Sequence, residues 1–206
     1  MPNWTSNLLR VSGPRLYRSI FADSMYRAGH ERGLDGVPFT YAEVLPMPEI
    51  LRGTTSPLPR TEEQLRADAA AYGWSKETLD SALQYCLNQE DKERYEEIGR
   101  QTGFLNWYDW ACAVWGVKWD ACESEFLGDS PRGLLYRFNS PWCAPTPVVD
   151  AFAFKYPSLK FTLSFIHEGE KRRHRHIGDP GAAALAIALN ERRKYKPMDE
   201  LAVSLF

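Results

Sequence analysis

The sequence predicts an α+β fold: a split β-α-β sandwich with a helical insertion and an extra C-terminal helix. Residues 159–166 alternate apolar and polar side chains, which is the pattern of a strand with one buried face. Residues 107–115 instead carry apolar side chains at the spacing of an amphipathic helix. Helices and strands therefore alternate along the chain, and a hairpin between them predicts the split β-α-β arrangement.

Residues 1–60 are predicted to begin the sheet domain. A strand over 7–11 ends at a Gly-Pro turn, and a helix follows it. Residues 39–44 are predicted to be a second strand or extended segment, and 51–59 an irregular loop. The apolar residues that predict the helix are Leu16, Tyr17, Ile20, Phe21 and Tyr26.

Residues 61–103 are predicted to form an acidic helical insertion. Thr61 precedes two glutamates in the manner of a helix start, and an amphipathic stripe follows. Between residues 62 and 103 there are ten acidic and five basic side chains, a balance of about −5. This charge indicates either a solvated helical face or an acidic interaction surface. The stripe consists of Leu79, Leu83, Cys86 and Leu87.

The passage 106–121 is rich in tryptophan and changes its periodicity at Gly116. Asn106 suits a helix N-cap, and Gly116 suits the helix end. The spacing favours tryptophans packed in the core over a platform for stacked bases, with Asp109 or Asp120 accepting hydrogen bonds from buried indole groups. The helical stripe consists of Trp107, Trp110, Ala111, Val114 and Trp115, and one face of the following strand consists of Val117, Trp119 and Ala121.

The rest of the chain completes the predicted sheet and adds a basic tail. A turn at 128–133 joins a strand over 134–139 to the preceding strand, and a helix over 148–156 comes before the strand at 159–166. The last segment begins with a basic run. Asp179 and a following proline then suit the start of an alanine-rich helix over 182–189.

Composition and charge exclude several classes of protein. The 206 residues carry 25 Lys and Arg against 27 Asp and Glu, so the chain lacks the strong positive field of a general nucleic-acid binder. We expect a cytoplasmic protein of a bacterial host cell, because no apolar run is long enough to span a bilayer and the start lacks a signal peptide. The cysteines, which form no C-x-x-C pair, are expected to be buried thiols or small packing residues: Cys86, Cys112, Cys122 and Cys143.

Several short motifs, taken in order, resemble the YubB-like family of phage and plasmid proteins with a ferredoxin-like domain. They are Met1-Pro2-Asn3-Trp4, Leu45-Pro46-Met47-Pro48, Asn106-Trp107-Tyr108-Asp109-Trp110, Trp115-Gly116-x-Lys118-Trp119-Asp120 and Ser140-Pro141-Trp142. The resemblance implies a ferredoxin-like fold over most of residues 1–166 and an origin in a mobile genetic element. It implies no reaction, substrate or cofactor. We therefore expect the insertion at 61–103 to interrupt a ferredoxin-like domain formed by 1–60 and 104–168, with a basic segment and helix at 169–206.

The first functional hypothesis is a non-enzymatic protein that binds a host macromolecule. The sequence contains none of the common catalytic or phosphate-binding motifs, so no catalytic residue, cofactor or metal is predicted. With the mobile-element resemblance, this favours binding to a host protein complex, and inhibition of a defence component such as CRISPR-Cas or restriction. The predicted contact surface is the acidic patch Glu90, Asp91, Glu93, Glu96, Glu97, Glu123 and Glu125.

The alternative hypothesis is a nucleic-acid-binding module that uses the sheet and the basic run. The run consists of Lys171, Arg172, Arg173, His174, Arg175 and His176. If it forms a strand, His174 and His176 point the same way and His167 can join them, but the neighbouring arginines disfavour a metal cluster there. The run suits phosphate or an acidic protein better, or else a charged edge strand that prevents aggregation.

Overall fold

The computed structural model describes residues 3–30 and 38–191. Its contacts divide these residues into two compact units. The sheet unit comprises 3–30, 38–47 and 109–191, and the helical unit comprises 48–108. Residues 1–2 of the first motif and 192–206 of the predicted basic tail lie outside the described residues.

The sheet unit is built on an antiparallel sheet with the strand order β2-β3-β1-β4-β5. Its strands are β1 (Trp4–Ser12), β2 (Cys122–Ser130), β3 (Gly133–Pro141), β4 (Lys160–His167) and β5 (His174–Ile177). The helices of the described chain are α1 (Arg15–His30), α2 (Glu49–Arg52), α3 (Glu62–Tyr72), α4 (Lys76–Leu83), α5 (Gln89–Thr102), α6 (Trp107–Val114), α7 (Thr146–Lys155) and α8 (Ala183–Glu191). The order β1-α1-β2-β3-α7-β4 is the split β-α-β topology, which confirms the predicted α+β fold.

Helices α1 and α7 cover one face of the sheet, where the core lies. Phe21 of α1 contacts the rings of Tyr136 on β3, Phe152 on α7 and Phe161 on β4, with centroids 5.4 to 6.0 Å apart. These side chains are almost completely buried. The strict alternation of buried and less buried residues along β1 and the first half of β4 follows from this one-sided cover.

The predicted apolar stripe of α1 is wrong except at Phe21. Leu16, Tyr17, Ile20 and Tyr26 are exposed, and the buried positions are Arg18, Phe21, Met25 and Gly29. Arg18 can be buried because its guanidinium donates to the Asp129 carboxylate and to the Ser130 carbonyl. The contact of Arg18 with β2 thus helps to determine which face of α1 packs against the sheet.

Residues 39–44 do not form the predicted strand. Tyr41–Glu43 is instead a short 3-10 helix, and the Thr40 hydroxyl caps it by accepting from the Ala42 amide. The Asp120 carboxylate accepts hydrogen bonds from the Thr40 hydroxyl at 2.6 Å and from the Tyr41 amide at 2.7 Å. These bonds satisfy the backbone without a strand partner, so the β-type sequence pattern is overridden.

The tryptophan passage forms the predicted helix but not the predicted strand. Gly116 has φ of 76° and follows α6, as expected for a helix end, and both Trp110 and Trp115 are buried. The Trp115 indole donates to the Leu45 carbonyl at 2.8 Å rather than to an aspartate. β2 begins only at Cys122, and Trp119 is 37% exposed, so the expected inward strand face is wrong.

Helices α3, α4 and α5 of the helical unit begin with side-chain caps. Thr61 and Gln64 form a complete capping box at α3, and Ser75 and Asn88 cap α4 and α5. Helices α3 and α5 end at glycines with left-handed backbone angles. The predicted helix start at residue 61 is therefore confirmed at the level of individual hydrogen bonds.

The tail after β4 returns to the sheet before it becomes helical. β5 pairs antiparallel with β4, and α8 packs against α7. Asp179 does not cap α8, which begins at Ala183. Its carboxylate instead accepts from the Gly181 amide within the preceding turn. None of the helices formed by the described residues has the length and apolar character needed to cross a membrane.

Candidate functional site

The face of the sheet opposite the helices carries half-buried and exposed side chains, and we call it the open face. The register places Leu8 between Arg137 on β3 and Ser164 on β4, and Arg10 between Leu135 and Thr162. Because side chains alternate along a strand, neighbours in these rows project from the same face. The open face consists of Trp4, Ser6, Leu8, Arg10 and Ser12, Glu125, Leu135, Arg137 and Asn139, Lys160, Thr162, Ser164 and Ile166, and Arg175 and Ile177.

Charge is unevenly distributed over the open face. Arg137 is paired with Glu125, and the Asn139 amide donates to Glu123 at 2.7 Å, so the β2 edge is acidic and internally satisfied. Arg10, Lys160 and Arg175 make no ion pair with any residue that the structure describes. Positive charge is therefore available on β1, β4 and β5, on strands about 5 Å apart.

An aromatic pair lies where β1 begins. The rings of Trp4 and Trp119 are 6.1 Å apart and tilted by 36°, and the Lys118 ammonium lies 3.8 Å from the Trp119 centroid. Such a cation over an indole face is favourable and adds positive charge to an aromatic surface. Trp119 was predicted to be core; its exposure instead makes it a candidate contact residue at one end of the open face.

The predicted acidic patch is distributed over both units. Glu90, Asp91, Glu93, Glu96 and Glu97 lie on α5 of the helical unit, whereas Glu123 and Glu125 lie on or beside β2 of the sheet unit. Several of these carboxylates already bind neighbours of their own element. Glu93 accepts from Gln89, and Glu97 pairs with Arg100. Lys92 and Arg94 lie between the acidic residues of α5 and reduce the net negative charge of this helix.

The basic run does not form one surface. Lys171, Arg172 and Arg173 lie in the exposed connection between β4 and β5, and Arg175 projects from the open face. His174 and His176 project from the opposite face, as the alternation of a strand requires. His176 Nε2 lies 2.6 Å from a carboxylate oxygen of Asp150 on α7, so it is tied to the core side of the sheet.

A buried carboxylate that no sequence motif indicated connects three elements. The Oε1 atom of Glu43 accepts from the Ser24 hydroxyl at 2.5 Å, from the Lys155 ammonium at 2.8 Å and from the Tyr156 hydroxyl. Burial raises the pKa of Tyr156, and its bond to Glu43 raises it further. The other oxygen of Glu43 has no partner among the described residues. We interpret this cluster as a structural clamp, because all donors converge on one oxygen.

The expected burial of the cysteines is wrong, because none of the four is fully buried. Cys112 and Cys143 are exposed and Cys86 and Cys122 are half-buried, and none forms a disulfide. Partial burial raises the pKa of the Cys122 thiol, and the nearby Asp120 carboxylate raises it further. Such a thiol is less reactive than an ordinary cysteine, so the arrangement does not point to nucleophilic chemistry.

Comparison with known proteins adds little to this geometry. No protein-family model and no curated protein matches the sequence. A solved structure, protein api92 from Yersinia pseudotuberculosis, described by the family model DUF1281, is similar with a TM-score of 0.44 and 12% sequence identity. The alignment covers 88% of this chain and 96% of that chain. A similarity at this level carries no argument about function, and the resemblance to the YubB-like family stays a prediction.

Proposed function

We propose that the protein is a non-enzymatic binding module that holds a single-stranded nucleic acid on the open face of its sheet. The observation that carries the proposal is the set of cations on this face, Arg10, Lys160 and Arg175, that lack an ion pair among the described residues. Charged side chains that project from one face of neighbouring strands offer contacts to successive phosphates. The acidic side chains at the β2 edge would repel phosphates and so direct the ligand toward β1, β4 and β5.

The remaining side chains of the open face support a single strand rather than a duplex. Unpaired bases expose apolar faces, which stack on aromatic rings and guanidinium planes. Trp119 with Lys118 supplies an aromatic platform with an adjacent cation, and Leu8 and Leu135 supply apolar contacts between the arginines. A duplex would present only phosphates to most of this surface, and the leucines would then have no partner.

The expected binding is weak and depends strongly on salt. Three cations that neutralise phosphates of a single strand predict a slope of about −2 in a plot of log K against log salt. The net charge of −2 offers no long-range attraction to compensate. Binding in the micromolar range at low salt is therefore expected, with little dependence on base sequence.

Binding to a host protein complex, such as a defence component, stays a prediction. The acidic patch that suggested it is partly neutralised, because Glu97 pairs with Arg100 and Glu125 pairs with Arg137. Capture of one protein complex from a nuclease-treated lysate, with loss of capture when Glu90 and Glu96 are changed to Gln, would favour this prediction over nucleic-acid binding.

The direct test is fluorescence anisotropy with labelled single strands of about 12 nucleotides, a length within the range that such modules cover. The double variant Arg10→Gln/Arg175→Gln removes two open-face cations and should lower the magnitude of the salt slope by about 1.4. The matched control Arg66→Gln/Arg100→Gln removes two cations that are already ion-paired on exposed helices of the helical unit.

Wild type and the control should bind alike, whereas the open-face variant should bind more weakly. Trp119→Ala should weaken binding by about 1–3 kcal/mol through the lost stacking contact. Equal losses in both double variants would mean that only total charge matters. Absence of binding by the wild type between about 50 and 200 mM salt would reject the proposal.

A further inference from the structure

Two histidines and a glutamate meet at the turn between β4 and β5. His167 ends β4, Glu170 lies in the connection and His174 begins β5. One potential ligand atom from each of the three lies within 4.8 Å of the other two. The pairing of Phe165 with His174 puts His167 and His174 on the same face of the hairpin, so the arrangement follows from the strand register.

The two imidazoles are held in position by neighbours that leave ligand atoms available. The hydroxyl of Thr5, which is completely buried, forms a 2.8 Å hydrogen bond with Nδ1 of His167. A histidine that binds a metal through one nitrogen almost always has the other nitrogen held in this way. The ring of Phe165 stacks on His174 at 5.3 Å with an interplanar angle of 21°, which restricts its rotation.

We propose that His167, Glu170 and His174 bind a divalent transition-metal ion such as Zn²⁺. Two imidazoles and one carboxylate are a common ligand set for zinc, and a water molecule completes a tetrahedral site. The side chains of His174 and Glu170 already lie 2.8 Å apart and share a hydrogen bond. A metal ion bound between them would take the place of the proton in this hydrogen bond and draw the three ligand atoms closer together.

The charges around this site set its strength. Lys171, Arg172 and Arg173 lie in the same connection and repel a cation, although all three are exposed and therefore screened by solvent. Arg175 projects from the other face of the sheet, and Glu168 adds negative charge beside His167. The site is thus suited to Zn²⁺ at micromolar affinity rather than to the tight binding of a closed four-ligand site.

The site is independent of the proposed nucleic-acid surface. Its histidines project from the helix-covered side of the sheet, whereas the cations of the open face project from the other side. A bound ion would tie the turn and β5 to β4, because its ligands come from both strands and from the connection. Removal of the ion should therefore loosen the edge strand and leave the core intact.

The test is titration of the full chain with Zn²⁺ by isothermal calorimetry, with Co²⁺ absorption spectra as a second readout. His167→Ala, Glu170→Gln and His174→Ala should each weaken Zn²⁺ binding by at least about tenfold, as loss of a ligand or its support does. His176→Gln is the matched control on the same strand face, since His176 is bonded to Asp150 and lies outside the cluster.

Co²⁺ spectra separate this site from the four cysteines, because thiolate ligands add charge-transfer bands that nitrogen and oxygen ligands do not. Thr5→Val should weaken binding by about tenfold and keep the ligand-field bands, as expected of a positioning residue. His174→Gln provides a second variant if His174→Ala melts at a lower temperature than the wild type.

The proposal predicts one Zn²⁺ per chain, no thiolate bands, an increase in melting temperature with Zn²⁺, and loss of all these effects in the ligand variants but not in His176→Gln. Wild-type affinity in His174→Gln, thiolate bands in the Co²⁺ complex, or absence of Zn²⁺ binding by the wild type would each overturn it. In these cases the contact between Glu170 and His174 is an ordinary surface hydrogen bond.

Discussion

Replacing Glu43 with Gln should destabilise the sheet unit by about 2 kcal/mol. The carboxylate is buried, and its Oε1 atom receives hydrogen bonds from Ser24 on α1, from Lys155 at the end of α7 and from Tyr156 just after it. The substitution keeps the shape and the acceptor oxygen and removes the charge. It therefore isolates the electrostatic part of the clamp.

The magnitude follows from the exposure of each donor. The Lys155 side chain is 48% exposed, so solvent screens its pair with Glu43 and we assign it about 1 kcal/mol. The hydroxyl donors of Ser24 and Tyr156 keep an acceptor, but each loses the advantage of a charged one, about 0.5 kcal/mol apiece. The Oε2 atom is buried without a partner among the described residues, so the new amide group loses no existing bond but buries two unpaired donors. This adds to the destabilisation, and about 2 kcal/mol is therefore a lower bound.

The assay is thermal unfolding followed by circular dichroism, in which about 2 kcal/mol corresponds to a fall in melting temperature of about 4–8 °C for a chain of this size. Glu49→Gln is the control, because Glu49 is 83% exposed and pairs with Arg52 on the surface, where about 0.5 kcal/mol or less is expected. A double-mutant cycle of Glu43→Gln with Lys155→Met should give a coupling energy of about 1 kcal/mol.

The reasoning fails if Glu43→Gln lowers the melting temperature no more than Glu49→Gln does. The cost of burying the carboxylate would then equal its gain from the three donors, as occurs for many buried ion pairs. If Glu43→Gln is destabilised as expected but the double-mutant cycle gives no coupling energy with Lys155, the effect belongs to the two hydroxyl donors alone.

Two further substitutions test backbone and side-chain features of the core. Tyr41→Phe should be neutral or stabilising by up to about 1 kcal/mol, because the buried hydroxyl has no partner among the described residues. Burial raises the pKa of Tyr41, so above about pH 10 the unfolded chain loses this proton before the folded protein does, and the stability of the wild type falls. The advantage of the variant in urea unfolding should therefore grow above that pH, and equal loss in both proteins would contradict this. Gly133→Ala should cost at least about 3 kcal/mol in thermal melts, since its φ is 119° and a Cβ atom would lie 2.2 Å from the Val11 carbonyl oxygen. Gly128→Ala, with φ of 120° and open space around it, should lose only about 1 kcal/mol, and similar losses at both sites would exclude the close approach as the cause.

The sequence was most informative where one face of an element is buried and local chemistry agrees with it. The alternation along 159–166 predicted β4 because Phe161 and Leu163 face the helices while Thr162 and Ser164 do not. The cap at Thr61 was recognisable because capping is decided within a few residues of the chain. Neither feature depends on distant parts of the fold.

The sequence was least informative where distant contacts decide the structure. The rotation of α1 depends on Arg18, whose partner Asp129 lies 111 residues away, and no local pattern indicates that an arginine faces the core. Trp119 was assigned to a strand because its neighbours alternate, yet Asp120 binds the segment around Thr40 and turns the chain away from the sheet. Tertiary hydrogen bonds override local periodicity in both places.

The basic run shows how strand alternation divides one sequence motif between two chemistries. In the sequence it is one cluster of charged side chains, which suggests a single surface. Pairing of β5 with β4 sends Arg175 to the open face and His174 to the helix-covered side. Each side then acquires partners from other strands: Arg10 on one side, and His167 with the buried Thr5 on the other. A variant of Arg175 should therefore change nucleic-acid binding without changing Zn²⁺ affinity, and a variant of His174 should do the reverse.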